Sequence, residues 1–341
     1  MQSLNLELRY NQQGASMKRI IGFLTLILVF LTGCGKGEET STKKIKLAHA
    51  LTESHPVHLA MVKFAEEVNE KTDGKIEVLI FPNGQLGGER EITELMQAGA
   101  IDIIKTNAGP LESFAKEYSV LPLPYLFKDM DHNLRVLKSP IGEEILAATE
   151  DRGFIGLTFY NSGTRNFYTK KPVRNTNDLK GMKIRVQTSK TMVRMTNLLG
   201  GSPTPLSFGE IYTALQQGVV DGAENNLISY AESKHYEAAP YFTFDEHSIS
   251  PDVLVMNTKT WNKLSNDEKA IIKTAALNSF DYQNEIWSET EDKLMDSLKD
   301  KGVEFFQVDK TEFVEKVQPL YDEVTKDSLI KDYIERIRNF E

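Results

Sequence analysis

The sequence predicts an α/β protein built as two lobes joined by one long helix. Three observations carry that expectation. From Lys44 onward, short apolar runs alternate with amphipathic segments of helical period, as strands buried in a sheet alternate with helices packed on it. The length of 341 residues suits roughly two domains of about 150 residues each. Ser265-Asn266-Asp267-Glu268 is a capping box that opens a helical pattern running to about Leu298. Such a helix is about 45 Å long, more than one small domain needs, so it is expected to bridge both lobes.

In chain order, Lys44–Ala50 reads as a strand. Pro56 suits a first helical turn, and the helix continues over Val57–Thr72 until Asp73-Gly74 stops it. Lys75–Phe81 is a strand, Glu89–Ala98 a helix and Asp102–Thr106 a third strand. Leu121-Pro122-Leu123-Pro124 excludes regular helix and reads as a packed loop. Helices near Asp131–Leu137 and Ile141–Asp151 lead to a strand at Phe154–Tyr160. The pattern then restarts with a strand at Met182–Val186, a helix at Lys190–Leu199, and a helix capped by Ser207 that ends before Gly218. Strands at Val219–Ala223, Phe242–Glu246 and Val253–Asn257 precede the long helix; a strand at Val303–Val308 and a helix from about Thr311 follow it.

The amino terminus reads as an export signal. Met17-Lys18-Arg19 precedes twelve uncharged residues, Ile20–Leu31, which rise about 18 Å as a helix and fall short of a ~30 Å hydrocarbon core. The run ends in Leu31-Thr32-Gly33-Cys34, which resembles a bacterial lipobox, so Cys34 is expected to be lipidated and to become the first mature residue. Residues 1–16 are unlike a signal flank and read as an over-extended start. Residues 34–43 form a polar tether to a membrane surface, on the cell exterior or the periplasmic side. Cys34 is the single cysteine, so no disulfide framework exists. The formal charge of -9 argues against nucleic acid as a partner. Without residues 1–33, which carry Arg9, Lys18, Arg19 and Glu7, the balance is 37 basic against 48 acidic, or -11.

Polar residues recur where strands hand over to loops, the place where open α/β sheets bind ligands. Arg185 lies near the end of the KIRV strand, Arg165 in the NSGTR loop after Phe154–Tyr160, Asn225 after VVDGAE, Asn107 after IDIIKT, and His49 at the close of IKLA. Two arginines with two amides describe a receptor for a small hydrogen-bonding anion, because a guanidinium fork matches a carboxylate. The competing reading makes each arginine a structural ion pair and each asparagine a cap or turn residue. His49, His55 and His58 with Glu53 lack the spacing of a metal site, and no nucleophile elbow, phosphate loop or dinucleotide motif occurs. No metal, cofactor or catalysis is therefore expected.

The residues then resemble a known family: solute-binding proteins of tripartite ATP-independent periplasmic (TRAP) transporters, of the DctP type. The resemblance rests on FPNGQLGGERE (81–91), LPLPYLF (121–127), DLKGMKIRV (178–186) and GGSPTPLSFGEIYTALQQGVVDGAEN (200–225), and it spans Lys44 to about Tyr333. It implies a periplasmic-binding-protein-like clamshell that closes on one small organic acid, a sugar acid or a C4-dicarboxylate. Arg185 would pair with the ligand carboxylate, with Arg165, Asn225 and the aromatic Phe208 beside it. Asn107 takes a position where relatives place a polar contact, often a carboxylate, and His49 and Glu53 lie in a variable loop that reaches ligand hydroxyls. The implied lobes are 44–162 plus 251–290 and 163–250 plus 291–341. The expected partners are the membrane subunits of the transporter, with the binding protein itself a monomer. A binding lipoprotein of an ATP-driven importer or of a sensor kinase shares this architecture, and a surface-anchored hydrolase of small acids is a further alternative.

Overall fold

The computed structural model describes residues 42–341; the signal segment, Cys34 and most of the tether lie outside the described residues. Eleven strands occur there: β1 (Lys43–Ala48), β2 (Ile76–Phe81), β3 (Ile103–Asn107), β4 (Phe154–Tyr160), β5 (Arg165–Thr169), β6 (Lys183–Val186), β7 (Ser202–Pro205), β8 (Gly222–Asn225), β9 (Tyr241–Ser248), β10 (Asp252–Asn257) and β11 (Glu304–Gln307). They form two sheets, ordered β2-β1-β3-β10-β4 and β11-β9-β5-β8-β6-β7. Each sheet is parallel except for one interior strand, β10 in the first and β5 in the second, which runs against both neighbours. The chain passes between sheets after β4, again between β9 and β10, and a third time before β11.

Among the helices, α1 (Pro56–Lys71), α2 (Glu89–Ala98), α3 (Ala108–Leu111), α4 (Met130–Leu137) and α5 (Pro140–Ala147) follow strands of the first sheet. Next come α6 (Lys190–Leu198), α7 (Ile211–Gln216), α8 (Leu227–Glu232) and α9 (Thr258–Trp261). The long helix is α10 (Asn266–Asp300), 35 residues, and α11 (Thr311–Val324) and α12 (Ser328–Arg338) close the chain. Ser265 caps α10 through the expected reciprocal pair, its hydroxyl accepting from the Glu268 amide while the Glu268 carboxylate accepts from the Ser265 amide. Ile272, Phe280 and Trp287 of α10 enter the larger apolar core, whereas Leu298 enters the smaller one. One helix thus serves both sheets, as its length implies. In β5, successive side chains point to opposite faces, so Phe167 joins the larger core and Tyr168 the smaller.

Some elements differ from expectation. Arg165, read as the last residue of the NSGTR loop, is instead the first of β5, and the polar start Arg165-Asn166 hides a strand that is fully buried. β7 carries two prolines and is tolerated because it is an edge strand paired only with β6. β8 starts three residues after the expected Val219, and the C-terminal helix is broken in two, with Asp327 capping α12 through the Leu329 amide.

Candidate functional site

Parallel strands in each sheet end on one edge, and the reversed strands begin there. Asn107 at the end of β3 therefore faces Asp252 at the start of β10, and Asn225 at the end of β8 faces Asn166 beside Arg165 in β5. These edges line a shared cavity. Arg165, Arg185, Asn225, Asn107 and Phe208 all line it. His49 and Glu53 do not: His49 is buried, and Glu53 is exposed.

Arg165 is buried and held from behind. Its Nε donates to Glu224 Oε2 at 2.5 Å, Nη2 to the Glu224 carbonyl at 3.0 Å, and Nη1 to Asn225 Oδ1 at 3.2 Å. Glu224 also faces His247 at 3.4 Å, and His247 Nδ1 pairs with Asp245 at 2.8 Å. Burial works against every charge in this group, but the partners outweigh it. Arg165 is raised, Glu224 is drawn down to about 2, and His247 is pushed up to about 9. Arg165 is thus a structural ion pair that also lines the cavity.

Arg185 is different. Its Nε and Nη2 both donate to the Leu206 carbonyl, at 2.9 and 2.7 Å, while Nη1 is buried with no protein partner. Burial lowers its proton affinity, and the acids nearby offset this only in part. Two residues on, Gln187 shares its face and leaves Oε1 equally unpartnered. The two sides of the cavity meet closely through glycine. A Cβ on Gly88 would come within 3.1 Å of Ser207 Cβ, and one on Gly109 within 2.7 Å of Gln187 Oε1. Across the same gap, Glu112 Oε1 accepts from the Lys190 and Thr191 amides at the start of α6, where the helix dipole favours an anion.

The first-sheet wall holds charges that sequence reasoning missed. Lys105 is buried between Asp252 at 2.9 Å and Glu89 at 3.3 Å, and all three line the cavity. The signal existed: a lysine in the apolar strand IIKTN is as costly as the arginine of KIRV and needs partners just as much. Asn107 stands in this wall with its amide already used. Nδ2 donates to the Ser250 carbonyl and to Asp252, and Oδ1 accepts from Gly109 and Ser250. It caps α3 and braces Asp252. His49 Nδ1 accepts from the Leu51 amide, so its Nε2 carries the proton and donates to His58 Nδ1 at 3.0 Å. That pair holds the turn which carries Ala50 and Leu51 to the cavity. His55 Nε2 instead meets Ser229 Oγ, itself in the cavity lining, at 3.3 Å.

The lining thus has three cations, Lys105, Arg165 and Arg185, against two anions, Glu89 and Asp252. Ser229 of the lining meets His55 Nε2, but His55 Nδ1 accepts from the Val57 amide, which leaves the proton on Nε2 and no base facing the hydroxyl; the lining suits the holding of an anion bearing hydroxyls. Comparison with known proteins agrees with that character. The profile of the bacterial extracellular solute-binding proteins, family 7 (DctP), matches residues 47–327. A TRAP periplasmic solute-binding protein from Xanthobacter autotrophicus Py2, solved with bound β-D-galacturonate, is 40% identical with a TM-score of 0.85, covering 86% of this chain and 99% of that one. One from Pseudomonas putida F1, solved with D-glucuronate, is 33% identical with a TM-score of 0.85 and covers 87% and 97%. The C4-dicarboxylate-binding periplasmic protein DctP of Rhodobacter capsulatus is 30% identical over 289 residues, 83% of this chain and 86% of its own. The chain belongs to the DctP family of bacterial extracellular solute-binding proteins, the two-lobed α/β binding proteins of TRAP transport, which carry solutes and are not enzymes.

Proposed function

We propose that this protein captures a hexuronate, a sugar ring with one carboxylate and several hydroxyls, and delivers it to the membrane subunits of a TRAP transporter. The observation that carries the reading is Arg185 Nη1, a buried charged donor without a protein partner at the edge of a cavity whose other groups are amides, hydroxyls and paired ions. A ligand carboxylate satisfies it, and Arg165, with five N–H donors of which three are engaged by protein, adds a second cation fixed in place by Glu224. Asn225 serves as a neutral hydrogen-bonding group beside them, and Phe208 offers an apolar ring face. The likeness to proteins solved with galacturonate and glucuronate supports a uronate over a C4-dicarboxylate.

In this reading the lobes are 44–162 plus 251–290 and 163–250 plus 291–341, and they close by bending at the crossings between the sheets. The mature chain starts at a lipidated Cys34, which keeps it at the membrane near the permease. A thermal-shift and calorimetric comparison of D-glucuronate, D-galacturonate and succinate tests the ligand, since ligand at 100 times its Kd adds about 2.7 kcal/mol. Stabilisation by succinate without either uronate overturns it. Metabolic labelling with a fatty acid tests the anchor: label is expected in the wild type and absent from Cys34→Ala, and an unlabelled wild type overturns it.

A further inference from the structure

The wall opposite the arginines has a chemistry of its own. Lys105 is buried and holds two carboxylates at once, through Asp252 Oδ2 and Glu89 Oε1. Each is also fixed by Asn107, Asp252 Oδ1 by its side-chain amide at 3.1 Å and Glu89 Oε1 by its backbone N–H at 3.1 Å. Glu89 Oε2 accepts no hydrogen bond from the described residues, and one of the three Lys105 N–H donors is likewise unused by them. Glu89 lines both the cavity and an adjoining pocket, and that pocket also includes Arg185 and Gln187. Gln187, itself buried, leaves its Oε1 unpartnered in the same space.

Carboxylates only accept hydrogen bonds, so a ligand group facing Glu89 and Asp252 must donate. A hydroxyl does so and can take a hydrogen bond back from Lys105. A second carboxylate has no proton to give and meets like charge at close range in a place with little water. We propose that Glu89 and Asp252, clamped by Lys105, read the hydroxyl-bearing side of the ligand and exclude acids with a second carboxylate. The proposal rests on the uronate reading and adds to it which part of the cavity sets specificity. It makes Glu89 and Asp252 specificity groups that touch ligand, and Asn107 a positioning residue that acts through them.

Glu89→Gln is the test, because the Glu89 side chain is less enclosed than that of Asp252; Asp252→Asn is the second variant, read only if its unliganded melting curve remains cooperative. Kd values for D-glucuronate and succinate are measured on wild type and variant by calorimetry at equal ionic strength. Glu89→Gln is expected to weaken glucuronate by about ten-fold or more and to strengthen succinate. A glucuronate Kd within about three-fold of wild type overturns the proposal, as does an equal weakening of both ligands, which is what general damage to the cavity gives. Failure of wild type to bind glucuronate or galacturonate overturns the uronate reading instead, so the two failures are told apart.

Discussion

Replacing Arg185 by methionine should separate binding from stability. The methionine stem fills much of the arginine's apolar volume and removes the charge and all five donors. The lost ligand contact is a charge-assisted hydrogen bond or a forked pair, worth about 1.5–3 kcal/mol, or roughly ten- to 150-fold in Kd. Stability responds differently. Two hydrogen bonds to the Leu206 carbonyl disappear, at about 1 kcal/mol apiece, but so does a buried, unpartnered Nη1 whose desolvation costs about 1–3 kcal/mol. The unliganded Arg185→Met variant is therefore expected within about 2 kcal/mol of wild type in urea denaturation, while its uronate affinity falls by roughly ten- to 150-fold. Arg185→Lys keeps the charge but not the planar fork, and is expected to lose about ten- to a hundred-fold. Calorimetry gives the affinities. Wild-type-like binding by Arg185→Met refutes the reasoning, because it would mean that the orphan donor faces no ligand.

Other substitutions and conditions probe the remaining parts. Gly88→Ala puts a methyl 2.7 Å from Glu91 Oε2, a flexible side-chain end that can move aside, and 3.1 Å from Ser207 Cβ across the gap, so it should weaken ligand binding by pressing the two sides apart, with little change in the unliganded Tm; a Tm loss without an affinity loss contradicts this. Gly163→Ala combines φ +62° with a Cβ 2.9 Å from Trp287 Cζ2 at a crossing between sheets, and should cost about 1–3 kcal/mol in urea denaturation. Stability should peak near pH 6.5–7. Burial opposes His247's charge, but Asp245 and Glu224 outweigh it and hold its pKa near 9, so its contribution of about 3 kcal/mol is complete below its ordinary 6.5 and lost as pH rises through 9. Burial keeps His49, His55 and His235 neutral, at about 2, 3 and 3, so their contributions exist above 6.5 and are lost as pH falls. Urea titrations at about pH 5, 6.5 and 9 check both limbs, and His247→Gln should flatten the alkaline one.

How much of this could be read from the sequence depended on how local the signal was. The Ser265 capping box and the apolar period that follows it announce α10 because a helix is stabilised by neighbours three and four residues away. Arg185 stood out because charge inside an apolar strand has few explanations, and the same argument applied to Lys105 would have found the opposite wall. β5 was missed because its pairing partners, β8 and β9, lie more than fifty residues away and its leading Arg165 and Asn166 mimic a loop. Glu53 was included from its position in a loop, but its exposed place outside the cavity follows from how the turn after β1 bends around His49 and His58.

The sequence by itself determined the α/β alternation, the shared helix and the family, since these rest on periodicity, caps and long ordered motifs. Only the tertiary structure decided which polar side chains are spent and which are left over. Asn107, Arg165 and Arg185 look alike as polar residues at strand ends, yet Asn107 has its amide fully engaged, Arg165 is clamped by Glu224, and Arg185 alone keeps a buried nitrogen unpaired. That difference comes from partners distant in the chain, brought within hydrogen-bond reach by sheet order and register, and no local pattern encodes it.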